Sequence, residues 1–137
     1  MTERIDDDDD VLSVLYHALR TARRRHVIQF LRERGTQATT RDLARSIASE
    51  EEDVPERQAT GEPYRNAYNA LSRTHLPALS QAGIIIYDSE RQTVLPGANF
   101  QLAVHLMDTN ALIVDLVSSL IRDLKRESTS DPQSPIE

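Results

Sequence analysis

Residues 75–97 read HLPALSQAGIIIYDSERQTVLPG, and their hydrophobic period changes partway along. Up to Gln81 the apolar residues continue a helical spacing that starts upstream, through Tyr64, Ala67, Tyr68, Leu71, Leu76 and Leu79. Pro63 suits the first turn of that helix. Pro77 lacks a backbone N–H, so the helix must kink or restart there, and Gly83 stops it. Ile84-Ile85-Ile86-Tyr87 is then β-branched and aromatic, which favours a strand. Asp88-Ser89-Glu90-Arg91 is polar and turn-like, and Gln92-Thr93-Val94-Leu95 returns as a second strand that Pro96-Gly97 ends. The stretch predicts a helix followed by a β-hairpin.

Further helices precede it. Val11, Leu12, Val14, Leu15, Ala18 and Leu19 have helical spacing with one wide apolar face. Thr21 suits the N-cap of a second helix, whose core stripe is Val27, Ile28, Phe30 and Leu31 and whose end is marked by Gly35. Gln37-Ala38-Thr39 fits a short extended piece. Thr39 or Thr40 caps a third helix, with Asp42 in an approximate capping box and Leu43, Ala44, Ile47 and Ala48 on its apolar side. Glu50–Gly61 reads as an acidic loop.

Downstream, Asn99–Glu127 is helical in character, with Leu102, Leu106, Ile113, Leu116, Leu120 and Leu124 spaced by three, four or seven. Met107-Asp108-Thr109-Asn110 is weakly helical and a candidate break. Val104, Leu112, Val117 and Ile121 widen the stripe beyond what one-sided packing needs, which points to a second copy as the partner. The expected fold class is mainly α with a small β-hairpin, a winged helix-turn-helix plus a C-terminal helix for dimerisation. The expected division is a disordered acidic tail over 1–10, the DNA-binding domain over 11–97, the dimerisation segment over 98–127 and a disordered tail over 128–137.

The order helix, helix, helix, hairpin, long helix carries a resemblance. Residues 19–27 (LRTARRRHV), 43–48 (LARSIA), 75–79 (HLPAL), 82–85 (AGII) and Tyr87-Asp88 resemble the small archaeal winged-helix transcription regulators of the ArsR/MarR kind, a haloarchaeal family in particular. The likeness spans roughly residues 11–96. It implies a double-stranded DNA-binding regulator and supplies neither the target nor an effector.

The chemistry of the helix from Pro63 points the same way. In a helix-turn-helix the second helix lies in the major groove and its side chains reach base edges. With Ala67, Leu71 and Leu79 facing the core, the opposite face presents Arg65, Asn66, Asn69, Ser72 and Arg73. Arginine can bond guanine O6 and N7 bidentately, and asparagine can do the same to adenine N6 and N7. The plainer reading is a solvated polar face, but asparagine is a poor helix former, so two on one exposed face need a reason. Arg41 and Arg45 could position the domain on phosphates, and Arg91 sits at the expected hairpin tip. Arg23-Arg24-Arg25 spread around a helix and cannot all meet one strand, so some should pair within the domain. Tyr68 reads as core rather than base contact.

Composition bounds the rest. The 137 residues include 16 basic and 22 acidic, a formal charge of −6. Fifteen of the basic residues are arginine and Lys125 is the one lysine, a ratio that with the acid excess suggests a salt-loaded cell or a GC-rich genome. Residues 3–10 carry −5 and Asp131 with Glu137 another −2, leaving 11–130 at +1. A calcium loop over Asp6–Asp10 lacks the glycine and second ligand set it would need. No cysteine is present, which excludes disulfides, thiolate metal sites and a cysteine nucleophile. His17, His26, His75 and His105 show no ligand spacing, and His75 reads as a structural histidine. No phosphate loop or nucleophile elbow is recognisable, so neither an enzyme nor a cofactor is expected. No uninterrupted apolar run reaches the length of a membrane span and the N-terminus is acidic, so the expected address is the cytoplasm. The competing expectation is a winged-helix module that docks a protein and binds no DNA. A weaker one is a small-molecule pocket between the last helix and the core.

Overall fold

A computed structural model describes residues 2–130; of the disordered tail expected over 128–137, residues 128–130 belong to the last helix and the rest lies outside the described residues. The chain is mainly helical with a small three-stranded antiparallel sheet. It divides into two units, residues 1–105 and residues 106 onward.

The first unit starts with α1 (Thr2–Ala18) and α2 (Ala22–Arg34). Helix α1 includes the acidic run that was expected to be a disordered tail before Val11. Thr21 occupies the N-cap position of α2, and Gly35 ends it with φ 73°, its N–H donating to Leu31 O. Strand β1 (Ala38–Thr39) leads into α3 (Thr40–Glu52), where the Thr39 hydroxyl accepts from the Asp42 N–H at 3.0 Å, half of the anticipated capping box.

The acidic loop is shorter than expected, because α3 continues through Glu52 and Asp53 closes it with φ 56°. A 3-10 turn (Glu56–Gln58) leads to α4 (Gly61–Ala70). The break expected at Pro77 is a π-helical turn over Leu71–His75, after which α5 (Leu76–Gln81) resumes. Pro77 cannot donate and its ring crowds the carbonyl four residues back. Widening the preceding turn, so that the Leu76 N–H reaches Leu71 O, accommodates it without ending the rod. Gly83, at φ 75°, closes α5. Its N–H reaches Ser80 O at 3.0 Å and the Ile84 N–H reaches Leu79 O at 3.0 Å, the two bonds of a Schellman motif.

Strands β2 (Ile85–Asp88) and β3 (Thr93–Pro96) form the expected hairpin, pairing Ile86 with Leu95 and Tyr87 with Val94. The extended piece near residue 38 adds a third strand, since β1 pairs with β3 through Ala38–Val94 and Thr39–Thr93. Most of the apolar set read from periodicity forms the core: Val27, Ile28, Leu31, Leu43, Ile47, Leu71, Leu76, Leu79, Ile84, Ile85 and Val94 are all essentially inaccessible, whereas on α1 Leu15, Ala18 and Leu19 are buried and Val11, Leu12 and Val14 are exposed.

One joint holds the hairpin to the helices. The Thr40 N–H donates to Gln92 O at 3.0 Å, and the buried Thr40 hydroxyl donates to Gln92 Oε1 at 2.6 Å. Tyr87 Oη donates to the same Oε1 at 3.1 Å, while Gln92 Nε2 donates to Ser89 O at 2.8 Å. Gln92 holds φ 53° in this turn. Gln92→Ala leaves the buried Thr40 hydroxyl only its long 3.5 Å contact with the residue 92 carbonyl and removes the acceptor of Tyr87, and we expect a loss of about 1 kcal/mol in chemical denaturation. Gln92→Gly should lose less, because glycine relieves the positive φ.

Helix α6 (Phe100–Ser130) begins in the first unit, where Phe100, Ala103 and Val104 are buried, and forms the described part of the second. It runs unbroken through Met107–Asn110. The few tenths of a kcal/mol that such weak formers cost apiece do not end a helix with strong formers on either side.

Candidate nucleic-acid interface

Helix α4 buries Ala67 and, just past its end, Leu71, which fixes which face meets solvent. Arg65, Asn66, Asn69 and Arg73 are all exposed on the opposite side, and the π-turn does not remove Arg73 from it. Glu62, also exposed, shares this face in the first turn. Ser72 differs from expectation. It is half-buried, and its hydroxyl donates back to Tyr68 O at 3.1 Å and Asn69 O at 3.4 Å, so it is occupied within the helix. Tyr68 is half-buried and packs at 6.1 Å, tilted, against Tyr64, which places it on the flank of the face.

The other expected contacts fall in two places. Arg41 follows Thr40 and Arg91 precedes Gln92, so the Thr40–Gln92 joint brings these two exposed arginines to one corner. The Asp88 carboxylate shapes that hairpin end by accepting from the Glu90 N–H at 3.0 Å and the Arg91 N–H at 3.2 Å. Arg45 departs from the surface role expected of it. It is half-buried, and its Nε is buried with no hydrogen-bond partner among the described residues.

The basic cluster on α2 is spent inside the fold. Arg23 makes a two-pronged contact with Glu51, Nε to Oε2 at 2.8 Å and Nη2 to Oε1 at 2.9 Å. Arg24 Nε donates to His75 Nδ1 at 3.1 Å, and Arg25 Nη1 donates to Leu19 O at 2.6 Å. Arg34 pairs with Asp42 at 3.1 Å and lies 5.5 Å from the Phe30 ring centroid. By contrast Arg41, Arg65, Arg73 and Arg91 have neither an ion pair nor a side-chain hydrogen bond among the described residues.

Burial, reinforced by the Arg24 and Arg23 guanidiniums, holds the His75 pKa below its ordinary value, so a neutral imidazole accepts from Arg24. The unfolded chain therefore binds a proton at His75 more readily than the folded one. Stability is intact above about pH 6.5 and is lost as pH falls below it. Hydrogen bonding from Arg23 lowers the Glu51 pKa, which adds a second loss below about pH 4.5. Denaturation at a series of pH values should show both declines, and His75→Gln should flatten the first alone.

Sequence reasoning missed a side-chain chain between α2 and α3. His26 Nε2 lies 2.7 Å from Ser46 Oγ, and His26 Nδ1 lies 2.6 Å from Glu50 Oε2. The order matches a Ser–His–Glu relay, on the edge of a cleft also lined by Gln29, Phe30 and Glu56. An acyl-transfer site also needs N–H donors aimed at a developing oxyanion. Ser46 sits mid-helix with its own N–H committed to the turn below, and the cleft carries Glu33, Glu50 and Glu56, which would repel negative charge. The relay fits a clamp between two helices. Among the described residues no cluster of three or more His, Asp or Glu could hold a metal ion.

The element order and this exposed face define a small helical domain with a hairpin at one corner. Residues 16–95 match the family described as Domain of unknown function (DUF7344), more than half of the chain, and the protein belongs to that family. The matched span runs from the end of α1 to β3 and stops before α6. No curated protein matches the chain, and no solved structure matches it.

Proposed function

We propose that residues 11–97 form a winged helix-turn-helix and that the protein is a sequence-specific double-stranded DNA-binding transcriptional regulator, of the archaeal winged-helix kind its sequence resembles. In this reading α3 and α4 are the helix pair, α4 enters the major groove, and the β2–β3 hairpin is the wing. The observation that carries it is the exposed face of α4 and the π-turn after it, where two arginines and two asparagines, Arg65, Asn66, Asn69 and Arg73, stand together opposite the buried Ala67 and Leu71. Arg23, Arg24 and Arg25 are engaged by Glu51, His75 and Leu19 O, whereas Arg65 and Arg73, like the exposed Arg20 and Arg57 elsewhere, have no partner among the described residues. Arg65, Asn66, Asn69 and Arg73 supply base-edge recognition, and Arg41 and Arg91 supply phosphate contacts.

The formal charge of −6 is compatible with this role because residues 11–130 carry +1. In a salt-loaded cytoplasm the Debye length is only about 3 Å at 1 M, so distant acids hardly matter. Counterion release would then contribute little, and affinity would rest on base contacts and shape. The alternative is a protein-docking module acting through the acidic loop Glu50–Gly61 or the C-terminal helix; its loop form is weakened because Glu50 and Glu51 are already engaged by His26 and Arg23.

Selection from a random duplex library in molar KCl tests the proposal. One motif should be enriched over successive rounds. Enrichment no different from that of the bare matrix would reject it.

A further inference from the structure

Beyond residue 105, α6 leaves its apolar side chains in water: Ile113 is 52% exposed, Leu120 61% and Leu124 65%, with Leu112, Val114, Leu116, Val117 and Ile121 similarly open. Of these, Ile113, Leu116, Val117, Leu120, Ile121 and Leu124 share one side of the helix, a contiguous apolar face of the kind a partner covers. We propose that this face pairs with the same face of a second copy of the chain, parallel and in register, as a coiled coil over Leu106–Leu124. The inference stands apart from the DNA-binding reading.

The spacing is self-complementary. Leu106, Ile113 and Leu120 recur every seven residues, and Asn110, Val117 and Leu124 form a second series four residues after the first. Together they make the alternating three-four seam of a heptad repeat, with Asn110, Val117 and Leu124 at a positions and Leu106, Ile113 and Leu120 at d positions. Val117 with Leu120 favours two strands, Ile113 and Leu124 do not, and the buried a-position asparagine decides for the pair. Asn110 is the polar member at an a position. In a parallel, in-register pair it meets its own copy and the two amides bond each other. Any slip or reversal sets an amide against apolar side chains.

Lipid fits the helix less well. By length and composition Phe100–Ser128 could cross a membrane, with a mean hydropathy of 1.4 over its best window, although no uninterrupted apolar run in it is longer than a few residues. But Asp108, Asp115 and Arg122 recur every seven residues along the side away from the seam. A lone span would put Asp115 in hydrocarbon. A helix lying on anionic lipid would carry basic residues there, where two of the three are acids.

The full-length chain has no cysteine, so single engineered cysteines report contacts cleanly. Sedimentation equilibrium should give twice the 15.5 kDa chain mass. Oxidised Val117→Cys should run as a covalent dimer on a non-reducing gel, and Asp115→Cys should not. Ile113→Asp with Leu120→Asp should give a monomer whose first unit still melts cooperatively. A monomer at every concentration, a dimer that Val117→Cys fails to cross-link, or flotation of the wild-type chain with lipid vesicles would each overturn the proposal.

Discussion

Replacing Arg65, Asn69 and Arg73 together by alanine is expected to abolish sequence-specific duplex binding while leaving the melting temperature within a degree or two of wild type. All three side chains are exposed and none pairs with another described residue, so the fold loses nothing it uses. The binding cost is large because each bidentate contact to a base discriminates by about 1–3 kcal/mol. Three such losses in well-separated positions reduce affinity by roughly a thousandfold or more, below detection for a regulator of ordinary strength. Arg41→Ala with Arg91→Ala should behave differently. Losing phosphate contacts weakens all duplexes alike and lowers the salt dependence, without changing which sequence is preferred. Fluorescence anisotropy with specific and scrambled duplexes, at two salt concentrations, separates the two classes.

The largest stability effect is expected at Gly97. A Cβ there would lie 2.6 Å from Gly83 O, 3.0 Å from Ile85 N and 3.1 Å from the Ile84 carbonyl carbon. All three are backbone atoms and cannot swing aside. The close approach is itself held by hydrogen bonds, Gly97 N–H to Ile84 O and Asn99 N–H to Gly83 O, both 2.8 Å. Gly97→Ala must therefore pry the α5–β2 corner from the chain that enters α6, at a cost of about 3 kcal/mol. In a domain of this size that lowers the melting temperature on the order of 10 °C or more. Gly35→Ala is the matched control. Nothing lies within 4 Å of its added Cβ, so only the strain of φ 73° remains, about 1 kcal/mol. Equal losses at the two sites would mean that backbone conformation, not the close approach, governs this corner.

These two results bear on different levels of what the sequence discloses. Gly35, Thr39, the apolar sides of α2 and α3 and the Ile84–Tyr87 strand were legible because each rests on local rules: a left-handed cap, a hydroxyl acceptor, a period of 3.6 or 2. The exposed face of α4 was legible for the same reason, since burying Ala67 and Leu71 leaves only one side for Arg65 and Asn69. What escaped was non-local. The Arg24–His75 bond joins residues 51 apart, and the Thr40–Gln92 joint joins residues 52 apart. Periodicity reports which face is apolar and says nothing of which polar groups meet across the core. The same limit hid the third strand, which needs β3 beside it, and left Ser72 among the base readers until its hydroxyl was found bonded to its own helix. Pro77 announced a disturbance, and the structure accommodates it as a widened turn between the buried Leu71 and Leu76.

The most direct test of the central claim, that the arginine and asparagine face of α4 reads bases, is chromatin immunoprecipitation of the tagged protein in its native salt, run beside the Arg65, Asn69, Arg73 triple-alanine variant. Discrete genomic sites sharing a motif, present for the wild type and gone for the variant at equal protein level, are the predicted result. No enriched sites for the wild type, or the same sites for both, would contradict it.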